Sequence, residues 1–315
     1  MIHIEDSFIK DNVDYPTLIE ALRLAFSKQK IVCPPKQVYD YKSQISNIDN
    51  TMLIMPAWDD DQYFGVKLIS TTPSNKQNDI PYINGLYLLF DANTGVPFAS
   101  MDAKLITHMR TAATSVLGAQ YLLPKGATSV LIMGNGQIAP HFISAYDSLS
   151  EINHIYLWGR DYKKSQRVVD SLQAINASVE AVPDFTKVIR KVDVVSCITS
   201  ARSPIVQTDH LRQGQHIDLA GSFTPEMIEV STDVVARSHV YVDNHDVTPF
   251  HAGELVQAVN EGKLETSSIV GDLHSLCVDK TSKRSKDTDL TLFKSTGMAI
   301  EDFVIANMIM EQKGL

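Results

Sequence analysis

Thr128-Ser-Val-Leu-Ile-Met133, Gly134-Asn-Gly136-Gln-Ile-Ala139 and Pro140-His-Phe-Ile-Ser-Ala-Tyr146 read in succession as a buried strand, a G-x-G-x-x-A loop and a helix. Gly134 permits a tight turn, Gly136 lets backbone N–H groups approach a pyrophosphate, and Ala139 allows the helix to pack closely on the strand. Glycine pairs at strand ends often make ordinary turns. The strand ahead of this loop and the strands after it favour dinucleotide binding, with Asn135, Gln137 and Ile138 completing the loop. Outward from it, His154–Trp158, Ser178–Val182, Asp193–Ile198, His216–Ala220 and His239–Asp243 are short β-branched runs separated by lengths that suit helices. Six such strands predict a doubly wound parallel sheet of the Rossmann kind.

The second strand ends in Leu157-Trp-Gly-Arg160, where an NAD-selective protein usually carries an acid for the adenine ribose. Arg160, with Lys163 and Lys164, suits a ribose 2′-phosphate and favours NADPH, while Asp161 keeps NADH open. Thr199 and Ser200 end the fourth strand, the edge at which such sheets bind ligands.

The first third reads differently. Gly85–Phe90, a turn at Asp91–Gly95 and Val96–Met101 form a hairpin pattern, so antiparallel structure is expected there. Pro16 opens a helix with Leu18, Leu22, Ala25 and Phe26 on one face, Asp102–Leu123 reads as a longer helix linking two domains, and Met298–Met310 as an amphipathic helix packing back on a domain surface. Asp279–Asp289 mixes charges of both signs and reads as a solvated loop.

The chain has 315 residues, 44% of them hydrophobic, enough for about two domains. Its 28 basic and 37 acidic residues give a net charge of −9, which disfavours nucleic acid and anionic membrane as partners. Cys33, Cys197 and Cys277 lack both pairing and zinc spacing, and Cys197 reads as a buried packing residue. Without a basic, apolar leader or a membrane-length apolar run, a soluble cytoplasmic protein is expected. His245, His251 and Glu254 lack a third-ligand pattern, so no metal is expected.

Met55-Pro-Ala-Trp58, Gly65-Val-Lys67 and Met109-Arg110-Thr-Ala-Ala113, together with the glycine loop, resemble the ornithine cyclodeaminase and μ-crystallin family over nearly the whole chain. Thr94–Pro97, Leu292–Gly297 and Ala299–Asp302 match as well. The resemblance implies a homodimer, with an α+β substrate-binding and dimerisation domain (1–115 and 295–315) beside the Rossmann domain (116–294). It implies chemistry at a C=N bond next to a carboxylate, held by Lys67 and Arg110, with Lys36 and Gly297 also at the substrate and Thr111 and Ser222 at the cofactor. Arg offers a planar fork to a carboxylate and Lys a mobile second charge. Alone, Arg110 would read as an ion-pair residue and Lys67 as a strand residue with its ammonium in water.

Departures narrow the reading. Deaminating members carry a base after a Gly-Gly turn, and that position falls here on Phe223, which accepts no proton; Asp218 and Glu226 do not plainly replace it. Lys36 stands where many relatives have Arg. The Gly221-Ser-Phe-Thr-Pro-x-Met227 form, with Glu229, Val242-Asp-Asn244 and Ala252-Gly-Glu254, looks most like the Δ1-pyrroline-2-carboxylate reductase branch. The resemblance thus implies nicotinamide-dependent reduction of a cyclic imino acid, Δ1-pyrroline-2-carboxylate or its six-membered homologue, with Arg160 favouring NADPH. Ornithine cyclodeamination, amino-acid or opine-type dehydrogenation, and non-catalytic binding of NADPH and a small ligand stand as alternatives.

Overall fold

The computed structural model describes residues 1–42, 50–59, 63–72, 74–75, 80–81, 83–278 and 284–314, so Asp279–Lys283 of the polar stretch lie outside the described residues. The chain divides into two compact units, 1–110 with 298–315, and 111–297.

The first unit is built on a six-stranded sheet ordered β1-β6-β5-β4-β3-β2, with β1 Ile2–Ile4, β2 Gln37–Tyr41, β3 Asn50–Trp58, β4 Tyr63–Thr71, β5 Ile83–Asp91 and β6 Pro97–Asp102. β2 through β6 pair antiparallel, as the hairpin pattern predicts, and β1 joins β6 in parallel. Alternation sorts the side chains onto two faces. Met55, Lys67, Tyr87 and Met101 form one buried cross-strand row, and Ala57, Gly65, Leu89 and Ala99 the next.

Helix α2 (Tyr15–Lys28) starts at Asp14, whose carboxylate accepts the Thr17 N–H at 2.9 Å, and it buries Leu18, Ile19, Leu22 and Phe26. The C-terminal helix α9 (Ala299–Gln312) departs from the expected surface position. Ile300, Phe303, Val304, Ile305, Ile309 and Met310 are all buried, so it is apolar nearly all round and forms the unit's central helix against α2, β3, β4 and β5.

The second unit carries an eight-stranded, wholly parallel sheet ordered β13-β12-β14-β11-β10-β7-β8-β9. The six expected strands are β7 Ser129–Met133, β8 His154–Trp158, β9 Ser178–Ala181, β10 Val194–Cys197, β11 His216–Leu219 and β12 His239–Val242. Two more, β13 Gly271–Asp272 and β14 Thr291–Lys294, complete it. The chain leaves β9 on one side of β7 and returns as β10 on the other, which creates the switch point where such sheets bind ligands. Helix α3 (Ala103–Leu122) carries the boundary between the units.

Candidate active site

Lys67 and Arg110 belong to the first unit, one on β4 and the other on α3, and both are buried. A single carboxylate joins them: Asp302 Oδ2 lies 2.6 Å from Lys67 Nζ, and Oδ1 accepts the Arg110 Nε–H at 3.1 Å. Arg110 Nη1 donates to Glu301 Oε2, whose other oxygen accepts the Met298 N–H at 3.1 Å and so closes the start of α9. Neither bond of Arg110 uses Nη2. Thr107, one turn before Arg110 on α3, stands 3.4 Å from Lys67 Nζ.

Local sequence explains the arrangement. A Cβ on Gly65 would lie 2.1 Å from the Tyr87 hydroxyl, so the glycine of Gly65-Val-Lys67 makes room for the tyrosine ring beside Lys67 in the same row. Burial and the Arg110 charge pull the Lys67 ammonium down to about 8, against the opposing pull of Asp302 and Glu301. The two acids outweigh burial at Arg110 and hold its guanidinium above its ordinary range. Burial, then Glu301 and Asp302, push the Cys33 thiol up to about 12, and Lys36, three residues on, is half-buried.

In the second unit, Gly134 adopts φ +131°, and a Cβ there would meet Ile198 at 2.8 Å, so the turn after β7 requires glycine. Gly136 and Gln137 are exposed, Ile138 is half-buried and Ala139 is fully buried under α4 (Ala139–Asp147), as helix-on-strand packing demands. Asn135 turns its amide toward the next loop, donating to the Asp161 carbonyl at 2.9 Å and to Ser165 at 3.0 Å. Asp161 caps α5 (Tyr162–Asp170) by accepting the Lys164 N–H at 3.1 Å, whereas Arg160, Lys163 and Lys164 are exposed.

Thr199, half-buried, and Ser200, exposed, follow β10. Ser222, after β11, is fully buried: its hydroxyl donates to Glu254 at 2.6 Å and accepts from Lys294 Nζ at 2.6 Å. Glu254 of α7 (Gly253–Asn260) is therefore occupied away from His245 and His251, and His251 Nδ1 meets the Val247 carbonyl at 2.9 Å. Thr111, at the start of the unit, is buried on α3. Asp243 accepts the Thr296 and Gly297 N–H groups at 2.7 and 2.8 Å, which holds Gly297 at φ +83°.

Asp218, a possible substitute for the missing base, is fully buried and accepts from Ser196 at 2.6 Å and Tyr146 at 3.1 Å. Glu226 is exposed and Phe223 is 37% exposed. Cys197 is buried in the core with its sulfur 4.0 Å from that of Met133. Among the described residues no group of three His, Cys, Asp or Glu could hold a metal, and no helix is long and apolar enough to cross a membrane.

Glu301, Asp302, Glu229 and Lys294 lie in segments of recognisable sequence, yet none of them has a role that the sequence alone assigns. Their signal was a charge embedded in an apolar run, as in Leu292-Phe-Lys294 and Ile300-Glu-Asp-Phe303.

A Δ1-pyrroline-2-carboxylate reductase of Paracoccus denitrificans is 33% identical over 260 residues, covering 82% of either chain. The protein of that name from Colwellia psychrerythraea is 29% identical over 307 residues, 96% of each. The solved structure of Thermococcus litoralis Δ1-pyrroline-2-carboxylate reductase in complex with NADH and L-proline superposes with a TM-score of 0.91 at 25% identity, covering 99% of this chain and 97% of that one. The model of the ornithine cyclodeaminase/mu-crystallin family matches residues 6–314, and with the glycine loop and the Lys67–Arg110 pair in place the chain belongs to that family.

Proposed function

We propose that the protein reduces a cyclic imine bearing a carboxylate, Δ1-pyrroline-2-carboxylate or its six-membered homologue, to L-proline or L-pipecolate, with NADPH as the favoured reductant and NADH as the substitute. The convergence of Lys67 and Arg110 on the two oxygens of one carboxylate, Asp302, carries the reading. Two cations held a carboxylate's width apart, with Arg110 Nη2 outside both internal bonds, suit a second carboxylate brought by the substrate. A nicotinamide cofactor supplies a hydride to the imine carbon, and the ring nitrogen gains a proton, which makes the secondary amine. Lys67, with its ammonium drawn down to about 8, or a bound water gives that proton. Held by its carboxylate, the imine meets the hydride in a fixed orientation, and that alignment provides most of the catalysis.

Three observations support the finer points. Phe223, in the place of a deaminating base, leaves reduction without deamination. Asp161 is engaged as a helix cap while Arg160 is exposed at the end of β8, which favours a ribose 2′-phosphate. On the sheet face opposite Lys67, Ile54, Leu68 and Leu86 form one apolar row and Val66 and Leu88 another, with Leu86 47% exposed; a second copy of the chain covers this face in the proposed homodimer.

NADPH oxidation by the purified protein tests the reading, with Δ1-pyrroline-2-carboxylate beside L-ornithine and pyruvate plus an amine. Oxidation with the cyclic imine alone is expected. Tight cofactor binding with no NADPH oxidation in the presence of either imine ring size would replace the reductase reading with a binding protein.

A further inference from the structure

Glu229 is fully buried in the stretch between β11 and α6 (Thr232–Ala236), and its carboxylate serves two loops at once. Oε1 accepts the Thr199 N–H at 2.6 Å and the Thr199 hydroxyl at 3.0 Å, both from the loop after β10. Oε2 accepts the Gly221 N–H at 2.9 Å and the Ser222 N–H at 3.1 Å, both from the loop after β11. Its own carbonyl accepts from Ile205 and Val206 at 2.9 and 3.1 Å, so the backbone that carries the carboxylate is fixed as well.

Space between the two loops is nil. A Cβ on Gly221 would lie 2.2 Å from the Thr199 backbone and 2.5 Å from Glu229 Oε1. A second group closes the far side: Ser222 Oγ is held between Glu254 and Lys294 Nζ, with the ammonium 3.7 Å from Glu254 Oε1. Glu254 and Lys294 grip the Ser222 side chain only, whereas Glu229 grips backbone N–H groups of both loops. β10 and β11 lie on the far side of the switch point from β8, the strand that carries Arg160. A dinucleotide laid across the switch point with its adenosine at β8 places its nicotinamide end toward β10 and β11.

We propose that Glu229 is a positioning residue: by fastening the loop after β10 to the loop after β11 through one carboxylate, it sets the seat of the nicotinamide half of the cofactor without touching the cofactor itself. The proposal rests on the reading that a nicotinamide dinucleotide occupies this sheet. It identifies the constraint as local, acting on one half of the ligand only.

Glu229→Gln is the direct test, because an amide nitrogen placed against either loop opposes N–H donors and releases that loop. Binding of NADPH is measured beside 2′-phospho-ADP-ribose, which keeps the adenosine half and lacks nicotinamide. The folded variant is expected to lose about tenfold or more in NADPH affinity, the size of one lost charge-assisted hydrogen bond, and to hold the fragment within about threefold. Glu229→Asp, one methylene shorter and still charged, cannot span both loops and is expected to show the same split; it is read in its own right if the Gln protein does not fold. Glu254→Gln, an equally buried carboxylate with no backbone partner in either loop, is expected to lower the melting temperature without that split.

Equal losses on NADPH and fragment, no loss on either, the same split in Glu254→Gln, or failure of both Glu229 variants to fold would each overturn the proposal and leave Glu229 a structural residue. Failure of the wild-type protein to bind either NADPH or the fragment, with the same result for NADH and ADP-ribose, would instead overturn the cofactor reading on which the proposal stands.

Discussion

The two units bury acid pairs in different company. In the first, Glu301 and Asp302 face Arg110 and Lys67, two acids against two cations, and the side-chain bonds between them join opposite charges. In the second, Glu254 lies 3.7 Å from the Lys294 ammonium, and Glu229 directs its carboxylate to backbone N–H groups. The consequence is opposite in sense. Burial, reinforced by Glu254 and relieved in part by Lys294, raises the Glu229 carboxyl to about 7, whereas Arg110 is held charged beyond its ordinary range. Buried charges that meet charges hold cations ready for an anionic ligand, and buried charges that meet backbone hold loops in place.

That contrast is broken most severely at Arg110. Arg110→Lys keeps the positive charge but loses the fork that reaches Glu301 and Asp302 together, and two buried carboxylates then share one fewer set of donors. Losing a hydrogen bond to a charged group costs about 1.5–3 kcal/mol, so kcat/KM for Δ1-pyrroline-2-carboxylate is expected to fall about tenfold to a hundredfold. Near-normal steady-state kinetics would remove Arg110 from the substrate site.

The sequence made the parallel sheet legible because its strands are compact β-branched runs and the glycine loop has only one sensible place on them. β14 escaped the sequence reading because Thr291–Lys294 ends in a lysine that reads as solvent-facing. Lys294 is in fact fully buried against Ser222, a residue 72 positions away, and no local pattern reports such a meeting. Helix α9 was legible as a helix, yet its place at the centre of the first unit was not, since Glu301 and Asp302 make one side look polar. Lys67 and Arg110 were found through resemblance alone; strand position and spacing would have left Lys67 in water. Its burial depends on Asp302, 235 residues further along the chain and 2.6 Å away.

The same cluster makes a pH prediction. Lys67 is charged below about 8 and loses its proton as pH rises through that value. An anionic substrate then faces Arg110 alone, so kcat/KM is expected to be level below about pH 8 and to fall by about tenfold per pH unit above it, through KM if Lys67 only holds the carboxylate and through kcat as well if it also gives the proton. Lys67→Arg, which stays charged, moves this limb out of the accessible range. A limb that persists unchanged in that variant would assign it to another group.

A smaller effect is expected at Arg160, an exposed residue at the end of β8. Arg160→Ala is expected to weaken NADPH by about tenfold and NADH by less than about twofold, since only NADPH carries the phosphate that the guanidinium would grip. Isothermal titration with both cofactors reads the ratio; equal losses on the two would end the 2′-phosphate assignment and make the exposed arginine a bystander.

Asp218 sharpens the comparison from the other side, as a buried acid that holds hydroxyls rather than loops or cations. Burial raises its carboxyl to about 6 against hydrogen bonds from Ser196 and Tyr146, which lower it. The folded protein therefore keeps a proton on Asp218 up to about 6, whereas the unfolded chain releases it near the ordinary carboxyl value of 3.8, so stability declines as pH rises across that window. The decline amounts to about 3 kcal/mol at its upper limit. Asn at this position accepts from the same two hydroxyls and carries no charge, so Asp218→Asn is expected to abolish that slope in denaturant titrations at pH 4 to 7. Turnover is expected to stay within about threefold, because neither Ser196 nor Tyr146 belongs to a ligand-bearing loop. A large loss of activity with intact stability would instead place the missing proton donor at Asp218, and the separation between structural and ligand-facing acids drawn from the two units would fail there.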